Sequence, residues 1–196
     1  MTAADRGQAL DLLESGLREV PMYAWLLGRS AEVDAYRWFG DVLFTDYLPG
    51  LYGQFTQTGE LMAMVAASEP DHETQPVDDD LRARTRHFVT TLDGFLERFT
   101  ELREKTRNSM LPGTVSLVFG LVHPDHRLSR ALSNLLQPIV DDAGRRGLLV
   151  TLGTGDPDLR EVSRRSWGGE VYAEFDLTDG PTVWLLKVEP PTREQH

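Results

Sequence analysis

One stretch, residues 115–140 (VSLVFGLVHPDHRLSRALSNLLQPIV), constrains the fold more than any other part of the chain. It opens on Val115-Ser-Leu-Val-Phe-Gly-Leu-Val122, rich in β-formers and too short to cross a bilayer, which predicts a buried strand. Pro124 has no N–H to give a sheet ladder and ends that strand. Asp125-His126-Arg127 is a polar turn. Leu128, Ala131, Leu132, Leu135, Leu136 and Ile139 then recur at helical spacing, predicting a helix over 128–143. Strand, tight turn and helix together aim the free N–H groups of the helix start at an anion.

Composition bounds what surrounds this unit. A chain of 196 residues, 40% hydrophobic, carries enough apolar surface for a real core. With no cysteine, a disulfide framework, a thiolate metal site and a cysteine nucleophile are all excluded. His123 and His126 flank Asp125 in the turn, a pattern better suited to a polar surface than to a metal, so no metal site is expected. The net charge of −11 argues against a nucleic-acid partner, and no apolar run reaches membrane-spanning length. The acidic, amphipathic start lacks the form of a signal peptide, so a cytoplasmic location is expected.

The remaining elements follow from periodicity. Helices are predicted over about 5–27, with Pro21 as an internal stop, and over 31–47. A hairpin over 51–57 and 61–67 follows, and then a polar loop from Glu69 to Asp80. Asp80 is the expected cap of one long helix over 81–106, weakened at Gly94. A strand over 148–152, a short helix begun by Asp156 or Asp158 and a hairpin around Thr178-Asp179-Gly180 complete the chain. This order predicts a single α/β (α+β) domain spanning 1–196. Residues 5–111 would form one half, 112–190 the other, and 191–196 a tail. Exposed edges and aromatics make a homodimer plausible.

The order of elements, with five local matches, resembles the GCN5-related N-acetyltransferase (GNAT) superfamily. The matches are Leu17-Arg-Glu-Val-Pro21-Met-Tyr-Ala-Trp25, Val122-His-Pro-Asp-His-Arg127, Leu128-Ser-Arg-Ala131-Leu132, Trp167-Gly-Gly-Glu-Val171 and Asp179-Gly-Pro-Thr-Val-Trp184. The resemblance implies a mixed, largely antiparallel sheet flanked by helices, with two central strands splayed apart. It implies acetyl-CoA as acyl donor, a small amine as acceptor and no prosthetic group. The pantetheine arm would lie on the strand near Leu121 and Val122. The pyrophosphate would sit on a Gln/Arg-x-x-Gly-x-Gly/Ala loop contributed by Arg127, Leu128, Ser129 and Arg130.

Two departures stand out. The chain passes straight from Arg127 into the apolar spacing at Leu128, which implies a shortened pyrophosphate loop with Ser129 at a glycine position. The family's thiolate tyrosine falls around 162–164, where Ser163 is the nearest hydroxyl. Glu69 and His72, at the end of the hairpin strand facing the acceptor side, are the candidate bases. Three readings follow: an acyltransferase using acetyl-CoA and an amine acceptor, a degenerate binder of a small molecule or partner, or an enzyme of a different reaction in the same cleft.

Overall fold

The structure is a computed structural model that describes residues 1–28, 30–127 and 129–189. Leu128, one of the predicted cofactor contacts, and the predicted 191–196 tail lie outside the described residues. Arg6–Glu19 (α1) and Pro21–Leu27 (α2) meet at Val20, because Pro21 cannot extend α1 but suits the first turn of α2. Val33–Tyr47 (α3) leads into the hairpin Leu51–Phe55 (β1) and Leu61–Ser68 (β2).

The single helix predicted over 81–106 is two, Asp79–Thr91 (α4) and Phe95–Ser109 (α5). Gly94 sits at φ 65°, in the left-handed region, which ends one helix and starts the next. The cap of α4 is Asp78, not Asp80: its carboxylate accepts from the Leu81 N–H at 2.7 Å. Val115–Val122 (β3), Ala131–Arg145 (α6), Val150–Thr154 (β4), Pro157–Trp167 (α7), Glu170–Asp176 (β5) and Thr182–Val188 (β6) follow. Asp156 caps α7, accepting from the Asp158 N–H at 2.8 Å.

The six strands form one sheet in the order β1-β2-β3-β4-β6-β5. Only β3 and β4 run parallel. Side chains of β2 alternate between two cores, as a strand buried on both faces requires. Met64 and Ala66 pack with α1 and α3, while Val65 and Ala67 pack with α6.

In β3 that alternation is interrupted. Ala66 pairs with Phe119 and Ala67 with Leu117, so Val118 is an extra residue, a β-bulge. Val115 and Leu117 face α6, but beyond the bulge Phe119 and Leu121 face α1 and α3. A slip of one residue reverses every later side chain. Gly120 is thereby left facing Leu132 of α6.

One brace ties the closing hairpin to α5. Glu101 accepts from the Thr178 N–H and hydroxyl at 2.9 Å each and from Lys105 Nζ at 2.7 Å. Lys105 also donates to the Asp176 carbonyl at 2.6 Å. Burial raises the Glu101 pKa, but the hydrogen bonds from Lys105 and Thr178 outweigh it and hold the carboxyl below its usual 4.5. A carboxylate with a depressed folded pKa stabilises the fold above its unfolded value, and that contribution is lost as pH falls through the folded value. Stability against denaturant should therefore fall below pH 4.5. Glu101→Gln should flatten that slope, and an unchanged slope would place the acid sensitivity elsewhere.

Candidate functional site

The site is built by the bulge. Pairing between β3 and β4 is confined to Val115–Val150, Ser116–Thr151 and Leu117–Leu152. Past Leu117 the bulge turns β3 away and the strands diverge, so the β3 backbone facing β4 has no strand partner there. Bulges beside active sites re-aim strands in this way.

Two cavities flank the gap. On the α6 side a narrow space of ≈ 60 Å³ lies between Gly120, Leu132, Leu136, Leu159 and Trp167. On the opposite side a cavity of ≈ 460 Å³ is walled by α2, α3, α5 and the outer strands. Leu117, Val118, Leu152 and Gly153 line both. These four residues thus border the splay on both faces of the sheet.

The larger cavity is mainly apolar and aromatic, with Tyr23, Phe39, Phe99 and Tyr172 in its walls. Ser116 and Thr151 bring hydroxyls to its floor, 3.1 Å apart. Burial, with a contribution from Tyr47, raises the Tyr23 pKa; burial, with a contribution from Asp46, raises that of Tyr47. Both phenols therefore hold their protons as O–H donors. Arg103 and Arg107 stand on α5 at the rim, beside exposed Phe99 and Met110. Hydrogen bonds from Trp25 Nε1 to the Thr178 carbonyl at 2.8 Å and from Arg98 Nε to the Leu26 carbonyl at 2.9 Å tie α2 to the closing hairpin and to α5.

No protein-family model matches the chain, and no curated protein matches it by sequence. Solved structures do. A histone acetyltransferase HPA2 and related acetyltransferase from Corynebacterium glutamicum superimposes with TM-score 0.71 at 15% identity, covering 100% of this chain and 96% of that one. The polyamine N-acetyltransferase of Drosophila melanogaster gives TM-score 0.61 at 14% identity, with 96% of each chain covered. The C-terminal condensation domain of Ebony gives TM-score 0.59 at 9% identity, with 95% of each chain covered. The chain has the GNAT fold.

In the GNAT frame the loop after β3 can be tested against its expected ligand. The loop is not shortened: α6 begins at Ala131, three residues later than the apolar spacing predicts. Just ahead of it, Ser129 Oγ accepts from the Ala131 N–H at 3.2 Å, and the first helical bond is Asn134 N–H to the Arg130 carbonyl at 2.9 Å. Counted from Arg127, the two glycine positions of the pattern fall on Arg130 and Leu132 rather than on Ser129. The departure is by substitution, not deletion.

The loop amides are also turned inward. The N–H groups of His126, Arg127 and Ser129 donate to the carbonyls of His123, Pro124 and His126 at 2.8, 3.4 and 2.9 Å. Among the described residues, the amides of Leu132 and Ser133 in the first turn of α6 lack a helical acceptor. Arg127 is held by Glu19. Leu132 lies on Gly120, where an added Cβ would come within 3.0 Å of Leu132 Cδ1. The open strand edge therefore fits a pantetheine-like arm, and the loop does not fit a diphosphate in the manner of the pattern.

The remaining predicted residues are dispersed. Leu121 and Val122 pair with Met64 and Ala63 of β2, with the Leu121 side chain buried against α1. Glu69 forms a two-point ion pair with Arg146 on the surface, outside both cavities, which corrects its assignment as a base beside the acceptor. His72 stands one layer behind the large cavity, stacked on Tyr47 at 4.9 Å, with Nε2 buried and 3.6 Å from Asp46. Ser163 lines the narrow α6-side space, where it is buried and donates to the Leu159 carbonyl at 2.8 Å. His123 and His126 are joined by Glu60 from the β1–β2 turn, their ligand atoms lying within 4.8 Å of one another. None of these three lines either cavity. Arg103, Arg107 and Tyr172 escaped sequence reasoning, since helix-surface arginines and a strand tyrosine carry no motif. Among the described residues no helix is long and apolar enough to cross a membrane.

Proposed function

We propose that the chain is a small-molecule acyltransferase, with the acyl donor on the α6 face and an amine-bearing acceptor in the large cavity. The observation that carries this reading is the splay bordered by both cavities. Leu117, Val118, Leu152 and Gly153 belong to both cavities, so a thioester reaching through the splay meets a nucleophile seated on the other side. Acetyl-CoA, or another acyl-CoA, would supply that thioester. The likeness to a polyamine N-acetyltransferase supports an amine as acceptor. The chain's own part is to orient the acceptor against the gap, with an O–H donor from Tyr23 and acceptor oxygens from Ser116 and Thr151, and to exclude water with its aromatic walls.

A second reading has its own support. Arg130 and Leu132 at the glycine positions, a Glu19-held Arg127 and an internally bonded loop favour a protein that binds a ligand without acyl transfer. The likeness to a condensation domain supports a third, a different reaction in the same cleft.

Titration with acetyl-CoA separates them. A donor site should raise the melting temperature by mass action, by about 2.7 kcal/mol of added stability at one hundred times Kd. It should also release free thiol in the presence of an amine panel. No thermal shift at millimolar acetyl-CoA would sink the acyltransferase reading.

A further inference from the structure

The charge of the large cavity is one-sided. No aspartate or glutamate is among the described residues that line it, although acidic residues outnumber basic ones by 31 to 20 in the chain. Among the described residues its only charged lining groups are Arg103 and Arg107, one helical turn apart on α5. Several arginines elsewhere are paired with carboxylates: Arg6 and Arg84 hold Asp41, Arg37 holds Asp11, and Arg146 holds Glu69. Arg18 and Arg160 lie over Tyr36 and Trp184, and Arg98 bonds to backbone carbonyls. Among the described residues, neither Arg103 nor Arg107 lies within 4.0 Å of a carboxylate oxygen. In a chain this acidic, two guanidinium groups left without carboxylates at one cavity mouth are an anion clamp waiting for its anion.

We infer that this cavity takes a ligand with an apolar or aromatic body and a carboxylate head, in the manner of a hydrophobic amino acid, and not a polycation. This inference rests on the reading of the cavity as the acceptor site. The apolar body lies among Phe99, Leu102 and Tyr172, the carboxylate meets the arginine fork at the rim, and the amine points inward to the hydroxyls of Ser116 and Thr151 at the gap. A polycation would lose its hydration against walls that return no negative charge. The phenols of Tyr23 and Tyr47 stay protonated and add no negative charge.

The test is calorimetric binding of L-phenylalanine, 3-phenylpropionate, phenethylamine and agmatine to the full chain without any acyl donor. The two carboxylates should bind on the order of tenfold tighter than phenethylamine and agmatine. The double variant Arg103→Gln/Arg107→Gln should erase that preference with an unchanged circular dichroism spectrum, and Arg103→Lys/Arg107→Lys should retain part of it. Tighter or equal binding of the amines, no binding of either carboxylate, or a preference that survives the glutamine variant overturns the inference. Repeating the series with acetyl-CoA and a thiol assay keeps the two readings apart. A carboxylate preference without thiol release removes acyl transfer alone, whereas release driven by agmatine without such a preference removes the carboxylate ligand alone.

Discussion

Replacing Asp41 by alanine is expected to lower stability by about 3 kcal/mol, at the lower end of the range for breaking a buried ion pair. Asp41 is 1% exposed on α3 and is the shared partner of two helices. Arg6 of α1 donates to it through Nε at 3.0 Å and Nη2 at 2.6 and 2.7 Å, and Arg84 of α4 donates at 2.7 Å. Removing the carboxylate takes a partner from two cations at once, although Arg84 keeps Asp80 of its own helix at 2.9 Å. Their side chains are 41% and 34% exposed, so water recovers part of the loss, which is why the lower end of the range applies. For a chain of this size the melting temperature should fall by about 6–12 °C. Replacing either arginine by methionine should cost less, since the other still pairs. A shift under about 2 °C for the alanine variant would show that the helices do not depend on this link.

Gly120→Val is expected to abolish acyl transfer, by on the order of a hundredfold, while leaving the large cavity intact. Gly120 lines only the narrow space on the α6 side. An added Cβ meets the flexible end of Leu132 at 3.0 Å and Val65 at 3.7 Å, so the backbone tolerates it while the donor path closes. Valine also suits a strand better than glycine. Affinity for L-phenylalanine should stay within about twofold, a change worth less than half a kcal/mol. Equal loss of donor and acceptor binding would mean that the two cavities are not separate sites, and unchanged transfer would place the donor elsewhere.

The elements themselves were legible in the sequence. Apolar period and turn chemistry located β3, the two hairpins, α1 and α3, because burial of one face leaves a repeating imprint in local residue choice. The order of those elements was enough to indicate the GNAT fold. Boundaries held less well where side chains decide them. Gly94 broke one helix into two by its left-handed φ of 65°, and Asp78 rather than Asp80 caps α4. Ser129 Oγ accepts from the Ala131 N–H just ahead of α6, which starts at Ala131, so an apparently shortened loop is full-length with Arg130 and Leu132 at its glycine positions.

The site was decided elsewhere. Alternation in 115–122 places Leu117, Phe119 and Leu121 on one face, yet the bulge at Val118 sends the last two to the other. A bulge is an agreement between two strands, so neither strand records it alone. The clamp of Arg103 and Arg107 reads in sequence as an ordinary solvated helix face. It becomes a site only because Thr178 is bonded to Glu101 and Leu26 to Arg98, which set α5 beside a cavity without carboxylates. Local residue choice determined which segments are strand and helix. Long-range pairing and packing decided which side chains share a space, because that depends on partners tens of residues away.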